Sequence, residues 1–181
     1  YYKHAEGVAF DTIVASGENS SKPHAIPTDR KIQNIDIITI DMGCKVNGYC
    51  SDMTRTIFVG EVPQYIKPVY ELVLKNQEQV LKDMKENSNT KLIAKMVDND
   101  FRLNNYDFIH ALGHGVGLDI HESPTLSINS ESLLKENMVV TNEPGIYIAG
   151  RFGVRIEDTV LIGKGGCETL TKSSKQYVVI N

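Results

Sequence analysis

Cysteine is scarce in this chain and poorly spaced for metal or redox work. Cys44, Cys50 and Cys167 are an odd number and contain no C-x-x-C pair, so neither a zinc ribbon nor a thioredoxin-like centre is indicated. They read as reduced thiols, the expected state in a cytoplasmic protein. No apolar run approaches the roughly 18 residues of a membrane span. The N-terminus lacks the charged-then-apolar pattern of a secretory signal. No block of Lys or Arg stands out against a net charge of −4, which disfavours nucleic acid or an anionic membrane as partner. A G-x-S-x-G nucleophile elbow is missing, as are low-complexity segments and short repeats. What remains is an ordinary globular composition, 41% hydrophobic and 23% charged over 181 residues, enough for one domain with a sizeable core.

Within that composition, "ITIDMGCKVNGYCSDMTRT" (38–56) places two aspartates about an Asn-Gly pair in an otherwise strand-like stretch. Asn-Gly suits the type I′ turn, whose central residues both need positive φ. The runs 37–46 and 49–59 are therefore expected to pair antiparallel across Asn47-Gly48, with Asp41 opposite Thr54 and Gly43 opposite Asp52. Alternate residues share a face, so Asp41 and Asp52 become diagonal neighbours, roughly 7–8 Å apart along the backbone and able to converge on one ion. Cys44 is read as facing Tyr49, which implies no disulfide across the pair.

The segment before this hairpin reads as loops around a short strand near 8–15, with His4 at the surface. Residues 64–86 carry an apolar helical stripe of Ile66, Val69, Tyr70, Val73, Leu74, Val80, Leu81 and Met84, with Pro68 in the first turn. A second helix is expected over 90–104, capped by Thr90, with Leu92, Ile93, Met96, Val97 and Phe101 turned inward. "NMVVTNEPGIYI", "GVRIEDTVLI" and "YVVI" read as strands. Strands, two helices and strands again predict an α+β domain, with helices packed on one face of a curved antiparallel sheet.

Two further acids, Glu143 and Glu157, sit in apolar strand contexts. A buried unpaired carboxylate is costly, so four such acids together favour a metal site over isolated structural roles. His114, flanked by glycines, is able to approach such a site closely. Arg155 shares a face with Glu157 and is positioned to orient a carboxylate. Oxygen-rich coordination with one imidazole suits Mn²⁺, Co²⁺ or Zn²⁺, and four carboxylates balance two divalent ions in charge.

Five motifs, "SGENSSKPHAIPTDR", "IDMGCKVNGYCSDMTRTIFVG", "HALGHGVGLDIHESP", "TNEPGIYI" and "GVRIEDTVLI", occur in an order that resembles the pita-bread metallopeptidases, in particular the Xaa-Pro aminopeptidase and prolidase branch. The resemblance implies a pita-bread fold and a dinuclear centre, manganese first, with cobalt or zinc as alternatives. Asp41, Asp52, His114, Glu143 and Glu157 would be the ligands, Asp52 and Glu157 touching both ions. It implies hydrolysis of the Xaa-Pro bond at the N-terminus of proline-containing peptides by a hydroxide bridging the metals. Glu143 would take the water's proton, and His24, His110 and His121 would contact substrate or handle protons. Arg155 and Tyr147 match supporting positions. Full-length relatives carry an N-terminal domain and begin the catalytic domain with two helices before "GVAFDTIVASG". The chain is therefore expected to be a partial catalytic domain with an apolar sheet face uncovered, from a full-length homodimer. Thr125 stands where some prolidases have an arginine for a dipeptide's carboxylate, which favours the aminopeptidase reading over the dipeptidase one. A methionine aminopeptidase and a non-catalytic pita-bread binding module are the competing readings.

Overall fold

The computed structural model describes residues 5–181, so His4 lies outside it. The chain runs β1 (Gly7–Val8), β2 (Ile13–Ser16), a 3-10 turn (Gly17–Ser21), β3 (Ile37–Met42), β4 (Cys44–Val46), β5 (Tyr49–Cys50) and β6 (Met53–Val59). Helices α1 (Lys67–Asp83) and α2 (Thr90–Leu103) follow. The second half is β7 (Gly113–Gly115), β8 (Glu122–Leu126), β9 (Val139–Asn142), β10 (Gly145–Ile148), β11 (Phe152–Arg155), β12 (Asp158–Ile162), β13 (Cys167–Thr169) and β14 (Val179–Ile180). This is the α+β order expected, except that the single strand near 8–15 is two short ones.

The Asn-Gly turn forms as read, with φ of 51° at Asn47 and 79° at Gly48. Asp41 pairs with Thr54, and the same register runs from Ile37↔Phe58 to Val46↔Tyr49. Cys44 consequently faces Ser51 and not Tyr49: its N–H donates to Ser51 Oγ at 3.1 Å, and Ser51 N–H donates to its carbonyl at 2.9 Å. The hairpin is also divided. Its outer half, β4 and β5, pairs with β1, while its inner half lies in a sheet of order β14-β6-β3-β2. The division falls at Gly43, where a Cβ would run into the Ser51 carbonyl, so the chain bends where a side chain has no room.

A second sheet has the order β13-β12-β9-β7-β8, and β10 and β11 form a separate antiparallel pair. β14 departs from the antiparallel expectation by pairing parallel to β6. The tail before it is anchored on α1, where Tyr70 Oη–H donates to the Lys175 carbonyl at 2.9 Å. Phe58, Tyr70 and Tyr177 pack as an aromatic cluster, with the two tyrosine rings 4.8 Å apart.

α1 buries Ile66, Val69, Tyr70, Val73, Val80 and Met84, and Leu74 and Leu81 pack at the margin of the core. Pro68 lies in its first turn, where no intrahelical acceptor is lost. α2 corrects two expectations. Its cap is Asn89, whose Oδ1 accepts from Leu92 N–H at 3.1 Å, and Thr90 is the first helical residue. Thr90 is instead fully buried, its Oγ1 bonded to the Ser130 carbonyl and the Ser132 N–H at 3.3 and 3.1 Å. Leu92 is 65% exposed, because the buried stripe of Thr90, Ile93, Ala94, Val97 and Phe101 leaves it on the outer side. Among the described residues, no helix is long and apolar enough to cross a membrane.

Adjacent residues on a strand point to opposite faces, and this sets the site apart from the helices. Asn142 and Asp158 both reach Gln77 on α1, which turns their neighbours Glu143 and Glu157 to the opposite face. The core packing makes a direct test. Phe101→Ala should lower unfolding free energy by about 3–5 kcal/mol, whereas Leu92→Ala should change it by about 0.5 kcal/mol or less. Urea unfolding monitored by circular dichroism reads both.

Candidate metal centre

Four acids and one imidazole converge on the face away from the helices. Asp41 and Asp52 come from the β3/β6 arm. His114 is on β7, Glu143 follows β9, and Glu157 precedes β12. Ligand atoms of Asp52, His114 and Glu157 lie within 4.8 Å of one another. His114 Nε2 stands 3.5 Å from Asp52 Oδ2 and 3.4 Å from Glu143 Oε1. Asp41 reaches the group through Arg155, whose Nη2 donates to Asp41 Oδ2 at 2.7 Å.

Local sequence explains these placements. Gly113 and Gly115 flank His114 where a Cβ would meet the carbonyls of Thr141 and Ser123 respectively, so only glycine lets β7 lie this close to its neighbours. Two threonines, not singled out from the sequence, orient the acids. Thr54 Oγ1–H donates to Glu157 Oε2 at 2.7 Å, and Thr141 Oγ1–H donates to Glu143 Oε1 at 3.1 Å. Each stands two residues from a site acid, Thr54 after Asp52 and Thr141 before Glu143. Period-2 alternation along these runs was the available signal.

Arg155 holds the assembly from one side. Its Nε donates to Thr54 Oγ1 at 3.0 Å, and its Nη1 donates to Tyr147 Oη at 2.7 Å and to the Pro23 carbonyl at 3.2 Å. Burial opposes its charge, but Tyr147, Asp41, Glu157 and Glu143 outweigh that and hold the guanidinium ionised. Burial likewise pushes the Tyr147 phenol up to about 12, so it keeps its proton. That O–H faces His110 Nε2 at 3.1 Å, while His110 Nδ1 bonds the Ala111 carbonyl at 2.7 Å. The pattern assigns the proton to Nδ1 and makes Nε2 the acceptor.

The electrostatics call for a cation. Burial, followed by the charges of Asp41 and Glu143, raises the Asp52 pKa to about 8. Glu157 is raised well above its usual value by burial and then by Glu143, Asp52 and Asp41, and Glu143 is raised chiefly by burial. His114 is lowered by burial and is therefore neutral, and its Nδ1–H donates to the Gly115 carbonyl at 3.0 Å. Its Nε2 lone pair thus faces two carboxylate oxygens with no proton of its own to offer them. Asp41 Oδ1 is buried without a hydrogen-bond partner. An oxygen-rich donor set with one imidazole, an orphaned carboxylate oxygen and an inward lone pair fits divalent cations such as Mn²⁺, Co²⁺ or Zn²⁺.

The cluster forms the floor of a cleft of about 640 Å³, and His24, His110, His121 and Thr125 line its walls. The His121 ring lies 4.4 Å from that of His114. Burial, followed by the neighbouring His114, lowers the His121 pKa. All nine residues singled out from the sequence as site candidates, with Tyr147, therefore fall in or against one cleft.

Comparison with known proteins places this geometry. Residues 1–164 match the model of metallopeptidase family M24. The Xaa-Pro dipeptidase of Pyrococcus furiosus is 46% identical over 177 residues, covering 96% of this chain and 51% of that protein. The crystal structure of an X-Pro aminopeptidase from Thermotoga maritima superposes with a TM-score of 0.96 at 43% identity, covering 99% of this chain and 51% of that one. The prolidase from Pyrococcus furiosus superposes with a TM-score of 0.91 at 46% identity, covering 94% of this chain and 51% of that one. The chain thus spans about half the length of the relatives it matches.

The raised carboxyl pKa values have a signed consequence. Between about pH 4, where free carboxyls ionise, and about pH 8, where Asp52 does so in the folded state, the metal-free fold holds protons that the unfolded chain has released. Below about pH 7 the lowered pKa values of His110, His114 and His121 act in the opposite sense, so it is between about pH 7 and 8 that its stability should fall as pH rises. Thermal melts in EDTA from pH 7 to 8 should show decreasing midpoints. Mn²⁺ should restore the loss and release protons, which calorimetry in two buffers of different ionisation heat would measure.

Proposed function

The chain belongs to metallopeptidase family M24, and on that premise we propose that it carries the catalytic site of a Xaa-Pro peptidase. Peptidases of this family use divalent metals. The ligands here would be Asp41, Asp52, His114, Glu143 and Glu157, holding two ions, with manganese the first choice and cobalt or zinc the alternatives. The observation that carries the reading is the convergence of Asp52, His114 and Glu157 within 4.8 Å, beside a buried Asp41 oxygen without a partner. Proline as the residue after the scissile bond is supported by the names of the similar enzymes, Xaa-Pro dipeptidase and X-Pro aminopeptidase.

The bound cations would lower the pKa of a water and polarise the substrate carbonyl. The remaining work belongs to the chain's own groups. Glu143, whose pKa is raised by burial, is suited to take a proton from the attacking water and to return it to the leaving proline nitrogen. Thr141 Oγ1–H fixes one Glu143 oxygen and so fixes the direction of that transfer. His121 and His24, exposed on the cleft wall, are available to hydrogen-bond the tetrahedral intermediate or the substrate backbone. His110 is held by Tyr147 and the Ala111 carbonyl, which orients its ring against the cleft. Arg155 Nη2 donates to Asp41 Oδ2 at 2.7 Å and so fixes the position of that carboxylate.

Thr125 bears on the choice between longer peptides and dipeptides. It is exposed on β8 beside the cleft, directly across from His114, and supplies no cation to grip a free C-terminal carboxylate. An aminopeptidase accepting longer peptides is therefore the first reading. The dipeptidase reading is favoured by the 46% identity to the Pyrococcus furiosus enzyme.

With Mn²⁺, the chain should cleave an Ala-Pro-containing pentapeptide faster than the Ala-Pro dipeptide, and Thr125→Arg should move that ratio toward the dipeptide. Glu143→Gln should lower kcat by about 10²- to 10⁴-fold. Chromatographic product analysis checks each of these. Preferential cleavage of a Met-Ala-Ser peptide would replace the proline reading with a methionine aminopeptidase.

A further inference from the structure

A second buried set of charges lies beneath the carboxylate cluster, on the α1 side of the same strands. Asp158 is fully buried. Its Oδ1 accepts from Arg55 Nη2 at 2.7 Å, and its Oδ2 accepts from Gln77 Nε2 at 2.7 Å and Lys175 Nζ at 2.9 Å. Arg55 is itself only 7% exposed, and all its donors are used. Nε donates to the Ser174 carbonyl at 3.0 Å, and Nη2 also donates to the Ser173 carbonyl at 2.9 Å. Nη1 donates to the carbonyls of Thr54 and Glu157. A guanidinium has five N–H donors, and here each one meets an acceptor.

The last two carbonyls belong to different sheets. β6, with Thr54, lies in the β14-β6-β3-β2 sheet, while Glu157 opens onto β12 in the β13-β12-β9-β7-β8 sheet. Other direct bonds cross there too, among them Thr54 Oγ1–H to Glu157 Oε2 at 2.7 Å on the cleft side. Glu157 N–H donates to the Thr54 carbonyl at 3.1 Å, and Thr159 Oγ1–H donates to the Asp52 carbonyl at 2.7 Å. Asp41 and Asp52 stand on one side of this seam, and His114, Glu143 and Glu157 on the other. The separation of the sheets therefore sets the size of the cage. Such constellations tolerate displacements of only about 0.5 Å.

We propose that Arg55 is a positioning residue for the metal centre: by spanning the Thr54 and Glu157 carbonyls from the face opposite the ligands, it fixes the sheet separation at which the Asp52 and Glu157 carboxylates meet. Stability alone does not require a charge here, since an apolar side chain of similar volume is often neutral or stabilising in place of a buried ion pair. An apolar side chain has no donors with which to hold two carbonyls of different sheets. Asp158, kept in place by Gln77 and Lys175, anchors the guanidinium from below. The inference rests on the metallopeptidase reading, because it explains how the same centre is assembled.

The test uses the whole chain, stripped of metal and titrated with Mn²⁺ in a calorimeter, with the visible spectrum of the Co²⁺ form and the thermal midpoint read in parallel. Arg55→Lys keeps the charge but loses the planar fork. It should weaken Mn²⁺ binding about 10- to 100-fold and alter the Co²⁺ spectrum, with the far-ultraviolet dichroism unchanged. Phe101→Leu, in the core on α2, weakens packing without touching either carbonyl, Asp158 or its partners. It should lower the thermal midpoint and leave Mn²⁺ affinity as in the parent. If both variants lose thermal stability alike and both bind Mn²⁺ as the parent does, Arg55 is structural only and the inference is overturned. Should Arg55→Lys not fold, Asp158→Asn, which loosens the anchor of the guanidinium, decides the matter: weaker Mn²⁺ binding supports the inference, and unchanged binding overturns it. A parent that binds neither Mn²⁺ nor Co²⁺ overturns the metal-centre reading of the site and this inference with it. A parent that binds two ions while the variants bind them equally well overturns the inference alone.

Discussion

Four carboxylates held about one neutral imidazole are the constraint on which the rest of the structure depends. Burial first, and then the like charges of Asp41 and Glu143, raise the Asp52 pKa to about 8. The fold maintains the cluster by spreading the acids over two sheets and giving them donors. Thr54 serves Glu157, Thr141 serves Glu143, and Arg155 serves Asp41. One buried Asp41 oxygen remains without a partner, as does the His114 lone pair facing Asp52 and Glu143. A fold indifferent to cations would have little reason to leave those two atoms without donors.

The same strands carry two polar layers, one on each face. Glu143 and Glu157 look into the cleft, while Asn142 and Asp158, one residue away, look toward α1 and bond to Gln77. Strand alternation thus couples the geometry of the cleft to a buried network that no substrate reaches. The glycines act where the sheets come closest. At Gly113 and Gly115 the neighbouring backbone occupies the volume of a side chain, so His114 is carried on a strand that lies against Thr141 and Ser123 without intervening atoms.

Much of this was legible in the residues. The hairpin register followed from Asn47-Gly48 because a two-residue turn leaves no freedom in pairing, and Asp41 does meet Thr54. α1 was readable from its stripe and from Pro68. The α2 cap was not: Asn89 and Thr90 are both good cap residues, and the bonds from Thr90 to Ser130 and Ser132, some 40 residues away, decided between them. Leu92 is apolar yet faces outward, because the packed stripe begins at Thr90 and excludes it. The break at Gly43 and the parallel docking of β14 likewise depend on partners distant in sequence.

By itself the sequence determined which side chains share a face and which segments are strand or helix, because those follow from backbone periods of two and 3.6 residues acting locally. It also determined the donor chemistry, acids and histidines without thiolates. The tertiary structure alone decided that Asp52, His114 and Glu157 meet within 4.8 Å. It also decided that Thr54 bonds Glu157, that Arg155 bonds Asp41 and Thr54 beside them, and that Arg55 bridges the seam behind. Those relations join segments up to about a hundred residues apart. No local period specifies them; they follow from how two sheets pack against each other and against α1.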